Sequence, residues 1–328
     1  MKTDTTENIL NYIKQKKQVS PKDLAEYLGI SSQTLFRQLK KLLQQNKIQK
    51  IGAPPKVFYT SVKETAVNEN IDLNKESKIF LDNHFYWITP LGQIKEGASG
   101  FIWWCQNRKF PIVKTYHEYR LTIEKYDQYR LSHRLISGLY KMKNTFNKVF
   151  LEDLFYIEFY AIERFGKTKI GQILNLAKQS QNISQINFLI DLIKEPIDLL
   201  LKELDIDCIG FIPPTVKREV QIMTEFKKKL HFNLPVLTLT KIKTPIIVPQ
   251  KTLSKLPDRI ENANITIVVD DSRVYKNILL ILIDDAVGSG ATLNETARHI
   301  HDKSLCTEKI YGLAITGSFK GFEVINEI

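Results

Sequence analysis

The stretch from Asn277 to Ala297, NILLILIDDAVGSGATLNETA, constrains the fold more than any other part of the chain. It opens with an unbroken aliphatic run, Ile278 to Ile283, the pattern of a strand buried on both faces. Two adjacent carboxylates, Asp284 and Asp285, stand at the end of that run. A loop, Gly288-Ser289-Gly290-Ala291-Thr292, then leads into a helical pattern over 291–301. A buried strand that passes to a helix through glycines belongs in an α/β unit with a mostly parallel sheet. The glycines let backbone amides turn toward one point. Ser289 and Thr292 add hydroxyls, and the helix N-terminus adds partial positive charge, so the loop is built to cradle a phosphate. The acids suit a diol, such as the 2′ and 3′ hydroxyls of a ribose, with a divalent metal nearby. Ligands of open α/β sheets sit at the carboxyl ends of the strands.

The surrounding pattern extends this unit over 183–328. Strands are expected at 207–212, 235–242, 265–269, 277–284 and 310–316, with a helix from about 183 and others over 215–230 and 291–301. The 277–297 segment resembles the phosphoribosyl pyrophosphate (PRPP) motif of type I phosphoribosyltransferases. Upstream, TPIIVPQKTLSKLPDRIENANITI (244–267) is similar to the competence-protein-F branch of that family, with Gln250, Leu253, Ser254, Arg259 and Asn262 on matching positions. The resemblance covers about 185–318. It implies that Asp284 and Asp285 hold the ribose at the catalytic centre and that Gly288, Ser289, Gly290, Ala291 and Thr292 hold the 5′-phosphate. It also implies that Lys217 and Arg218 face pyrophosphate, and that a loop carrying Lys251 and Arg259 closes over the substrate with magnesium accompanying PRPP. The chain departs from the branch at Arg218-Glu219-Val220-Gln221, where Glu219 would oppose an anion. A base-stacking role for Phe319 and Phe322 is a weaker expectation than ordinary packing.

Charge singles out the other end. The chain carries a net +11, yet residues 1–63 alone hold 12 Lys/Arg against 4 Asp/Glu, a net of +8. Positive charge gathered in a short segment suits a polyanion. Its pattern reads as helix (5–17), capped helix (Ser20-Pro21 to Leu28), Gly29 turn, third helix (to about Asn46) and hairpin (48–60). Leu35, Leu39, Leu42 and Leu43 stripe the third helix. This order resembles bacterial winged helix-turn-helix regulators. The resemblance implies binding to double-stranded DNA, with Ser32, Gln33, Thr34, Arg37, Gln38 and Lys41 at the major groove and Lys50 and Lys56 on the wing.

Residues 64–182 lie between. A polar stretch at 63–78 reads as a linker, and a small hairpin turns at Pro90-Leu91-Gly92. Helical patterns are expected around 112–143, 150–164 and 166–180. The aromatics Phe150, Phe155, Tyr156, Phe159 and Tyr160 suit a core more than a ligand box. The expected organisation is a winged helix (1–63), a mainly helical bridge (64–182) that could hold a dimer interface, and a phosphoribosyltransferase-like α/β unit (183–328). At 43% hydrophobic and 25% charged, the composition excludes wholesale disorder. The longest aliphatic run falls far short of the roughly 20 residues that span a bilayer. With no apolar leader at the N-terminus, the expected location is cytoplasmic. Three scattered cysteines, Cys105, Cys208 and Cys306, argue against a disulfide scaffold or zinc site, and His299 and His301 diverge on a helix.

The combination implies a homodimeric DNA-binding regulator that senses PRPP or a nucleotide. The alternative is an active phosphoribosyltransferase that joins phosphoribose to a nucleobase or amine, its N-terminal module serving localisation.

Overall fold

The computed structural model describes residues 5–45, 47–53, 55–61, 73–131, 134–214, 216, 218–230, 232–242, 244–246, 248–282 and 287–319. Asp284, Asp285, Lys217 and Phe322 lie outside this set, as do the side chains of Lys251 and Ala53.

The N-terminal module is three helices and a hairpin. Helix α1 (Thr5–Lys16) precedes α2 (Pro21–Leu28), which starts with a reciprocal cap: Ser20 Oγ accepts from the Asp23 amide, and Asp23 accepts from the Ser20 amide. Gly29 ends α2 at φ 60°. Helix α3 (Ser32–Gln44) is capped by Ser31 and leads to strands β1 (Ile48–Ala53) and β2 (Lys56–Ser61). Val19 bridges to Tyr59 as a third, one-residue rung. Ile9, Ile13, Leu24, Leu35, Leu39, Leu42 and Ile48 form a core of this module's own.

The next stretch holds α4 (Lys75–His84), β3 (Tyr86–Ile88), β4 (Ile94–Glu96), α5 (Gly97–Arg108) and α6 (Ile112–Asp127). It continues with β5 (Ile136–Ser137), α7 (Leu139–Thr145), β6 (Asp153–Phe159), β7 (Ala161–Ile162), β8 (Gly166–Lys167), α8 (Lys169–Ser180) and α9 (Ile183–Glu203). The hairpin expected around Pro90 is β3–β4. The helix expected over 112–143 ends at Asp127. The 150–164 pattern is not a helix but the strand β6, whose run Leu154–Ile157 is buried on both faces. Such a run carries no period that separates helix from strand.

The α/β unit continues with β9 (Cys208–Phe211), α10 (Ile222–Leu230), β10 (Val236–Leu237), β11 (Leu239–Lys241), α11 (Leu256–Thr266), β12 (Ile267–Val269), β13 (Tyr275–Leu282), α12 (Ala291–Asp302) and β14 (Cys306–Gly317). Six strands order as β10-β9-β13-β14-β6-β5, with every pairing parallel except β5–β6. The sheet therefore takes β5 and β6 from the stretch read as a helical bridge, and a division at residue 182 runs through it. The 215–230 helix starts only at Ile222. The 235–242 run is split: β10 joins the main sheet, and β11 pairs antiparallel with β12. One face of the sheet packs on α8, α9 and α10 through Ile186, Ile190, Ile197 and Phe226. The other packs on α12 and the α4–α6 region through Leu293, Ala297, Phe101 and Tyr119. No helix among the described residues is long and apolar enough to cross a membrane.

Candidate functional site

Two places in the molecule gather the residues singled out above. The first is the exposed side of α3 and the hairpin. Ser32, Gln33, Arg37 and Lys41 are exposed on α3, and Lys50 and Lys56 are exposed on the hairpin. Thr34 and Gln38 are only half-exposed, and both hydrogen-bond within the module. Thr34 Oγ1 lies 3.0 Å from Ser31 Oγ, and Gln38 Oε1 accepts from Thr6 Oγ1 at 3.1 Å. Sequence reasoning left out Phe36, which is 51% exposed and lines a groove with Pro21, Lys50, Lys56 and Phe58. The available signal was its position off the Leu35-Leu39-Leu42 stripe.

The second place follows from the strand order. The chain runs from β9 outward to β10, then crosses back to β13 on the other side of β9. The order reverses between β9 and β13, and their carboxyl ends open a crevice there. The loop after β9 forms one side, and the residues after β13 lead into α12 on the other. Val287 pins the second loop to the sheet: its amide donates to Thr316 O at 3.0 Å, and its carbonyl accepts from Ser318 N at 3.3 Å. Gly290 stands before α12 at φ 81°, where a side-chain methyl would overlap the Met142 sulfur. Ser289 Oγ accepts from the Ala291 amide at 3.3 Å, so this hydroxyl serves as a cap for the first turn of α12.

The described lining of the crevice includes Pro213, Arg218, Gln250, Leu282 and Thr292. It also includes Lys178, on α8, and Lys241, at the end of β11. Sequence reasoning missed both. Lys178 is 9% exposed, on the same buried face of α8 as Leu174 and Ala177. Burial pushes the Lys241 ammonium below the ordinary lysine range. Glu219 is exposed and is not among the described lining residues.

The segment ahead of α11 is knitted by hydrogen bonds. Gln250 Nε2 donates to Arg259 O at 2.9 Å and to Asn262 Oδ1 at 3.2 Å, and Arg259 Nε donates to Leu253 O at 2.7 Å. The Arg259 guanidinium stands against Gly288, 3.3 Å from where a β-carbon would be. Four positions of the 244–267 pattern thus meet in one place.

No group of three His, Cys, Asp or Glu able to hold a metal occurs among the described residues. The described lining includes no carboxylate, and Asp284 and Asp285, the two expected there, lie outside the described residues. His299 Nε2 lies 2.8 Å from Asn264 Oδ1, and His301 Nδ1 lies 3.4 Å from Asp302. All three cysteines are free, and burial raises the Cys105 and Cys208 thiols to about 12, which leaves them inert at neutral pH. Phe319 packs on Tyr126, Tyr129 and Phe159.

No curated protein and no solved structure matches the chain. A family model does match its first part: residues 2–49 are similar to the winged helix-turn-helix DNA-binding family, the segment that forms α1, α2 and α3 and enters the wing.

Proposed function

We propose that the protein is a DNA-binding regulator whose α/β unit binds PRPP or a related nucleotide as effector. The observation that carries the second half is the basic crevice at the strand-order reversal, closed on one side by the N-terminus of α12. In this reading Asp284 and Asp285 take the ribose hydroxyls, and residues 288–292 take the 5′-phosphate. Lys217 and Arg218 face pyrophosphate, and Lys251 and Arg259 cover the ligand. Magnesium would arrive on the ligand's own phosphates. The exposed Gln33 and Arg37 would read base edges, while Lys41, Lys50 and Lys56 would hold phosphates. A homodimer would present two such modules to paired half-sites.

The test has two arms on the full-length protein. Binding to a pool of random-sequence DNA duplexes, followed by selection, should enrich a motif, and Arg37→Ala should relax it by about 1–3 kcal/mol at one position. Calorimetry with PRPP and magnesium should show binding that Asp284→Asn with Asp285→Asn abolishes. No enriched motif sinks the DNA half, and no PRPP binding sinks the effector half.

The placement of Arg259 over Gly288 favours a second reading, an active phosphoribosyltransferase with a closing cover. There catalysis would be positioning and electrostatics as pyrophosphate leaves the anomeric carbon. Base-dependent pyrophosphate release would establish it, and no release across nucleobases and amines would exclude it.

A further inference from the structure

Phe36 stands out on α3. It is 51% exposed, while Leu35, Leu39 and Leu42 are buried in the module's core. A lone exposed ring needs no explanation, but this one is not alone. It lines a groove with Pro21 at the start of α2 and with Pro55, Val57 and Phe58 of the hairpin. Helix spacing puts it one turn from Gln33 and one turn from Lys40, both exposed. Phe36 therefore borders the row Gln33, Arg37 and Lys41 on the side toward the hairpin.

The rim of this groove is cationic. Lys22 of α2 and Lys50 and Lys56 of the hairpin line it, and no described lining residue is acidic. Lys22 and Glu26 approach to 3.9 Å with both groups largely exposed, a pairing too weak to cancel the lysine's charge. The hairpin lysines are set in place by strand register, Lys50 opposite Tyr59 and Lys56 opposite Ala53. Tyr59 is itself tied to the loop before α2: its amide donates to Val19 O at 2.8 Å and its carbonyl accepts from Val19 N at 3.0 Å.

An apolar floor beside hydrogen-bonding side chains and under a lysine rim matches one edge of a DNA duplex. The major groove shows polar base edges flanked by phosphates, and the methyl group it presents is that of thymine. We propose that Phe36, with Pro21 and Phe58, is a specificity-determining residue that takes the 5-methyl group of a thymine. Lys22, Lys50 and Lys56 hold phosphates of the neighbouring backbone. This rests on the DNA-binding reading above and deepens it: one base is chosen by apolar contact, where Gln33 and Arg37 choose by hydrogen bonds. An apolar peptide is the competing occupant. The lysine rim, and the match of this segment to a DNA-binding family, favour the duplex.

The experiment uses the full-length protein and the duplex motif enriched from random sequence. Each thymine of the motif is replaced in turn by deoxyuridine, which removes the methyl group and keeps the base pair, and affinity is read by fluorescence anisotropy. One replacement should weaken wild-type binding about three- to fivefold, the effect of exposing one buried methyl group. Phe36→Ala should bind the thymine and deoxyuridine duplexes equally at that position, and Phe36→Leu should retain part of the difference. Lys22→Gln should weaken all duplexes alike and leave the difference unchanged. A motif without thymine, or one in which no thymine is methyl-sensitive, overturns the proposal and leaves the DNA-binding reading standing. So does Phe36→Ala that weakens every duplex equally and keeps the wild-type methyl effect, because the ring then only braces the hairpin. If no motif is enriched, both fall.

Discussion

Lys241 shows how a single side chain can report on the crevice. Burial lowers its pKa in the free protein, and a bound anion would raise it again. Anion binding then takes up a proton in the window between the two values. Affinity for pyrophosphate is therefore expected to fall as pH rises through the lowered value toward the ordinary lysine range, and Lys241→Met should flatten that slope. Calorimetry across that range checks it. The same shift acts on folding with the opposite sense: the unfolded chain binds more protons in this window, so stability of the free protein rises with pH there. Gly290 makes a second residue-scale test. At φ 81°, with the Met142 sulfur where a methyl would sit, Gly290→Ala should cost about 1–3 kcal/mol or more and weaken ribose 5-phosphate binding, read by thermal unfolding and calorimetry. The glycine was legible from the sequence as part of the loop that leads into α12. Lys178 was not, because a lysine on a helix ordinarily faces water, and nothing near it in the sequence marks its burial on the inner face of α8.

Among the elements, the most legible were those whose signals are local. The Ser20-Pro21 start of α2, the Gly29 stop and the leucine stripe of α3 all act within a few residues, and each does in the structure what the sequence implied. Leu39 is 1% exposed at the centre of that module, so Leu39→Ala should cost it about 2–5 kcal/mol. Chemical unfolding of the full chain should show that loss in an early transition, with DNA binding lost first. Strand β6 was the opposite case. Its apolar residues are consecutive because both faces are covered, so periodicity gave no answer. What makes it a strand is distant: Tyr156 fills space left by Gly138, Gly312 stands against Leu154, and Gly317 leaves room for the Tyr156 ring. A methyl at Gly317 would overlap that ring, so Gly317→Ala is expected to loosen β14 from β6, seen as lower thermal stability. The 235–242 run misled differently: one apolar segment serves two sheets, and Thr238 between them accepts from the Asp270 amide at 2.9 Å.

For the molecule as a whole, regulation requires that ligand and DNA each bind two states of the protein unequally. If PRPP changes DNA affinity by some factor, DNA must change PRPP affinity by that same factor. Titrating each in the presence and absence of the other should return equal ratios; a ratio of one in both directions would leave two functions sharing a chain without regulation. The parallel pairing of β6 with β14 has a different consequence, one that concerns synthesis. Strand β6 is translated about 150 residues before the strand that covers its edge, and β14 is the last strand of the sheet. The N-terminal module has its core complete by residue 59 and can fold as it leaves the ribosome. The sheet cannot: until β14 emerges, the apolar faces of Leu154, Phe155, Tyr156 and Ile157 have no neighbour on that side. A stalled ribosome would thus display a finished DNA-binding module tethered to an open, aggregation-prone sheet edge, and this chain should depend on chaperones during the last stretch of its translation.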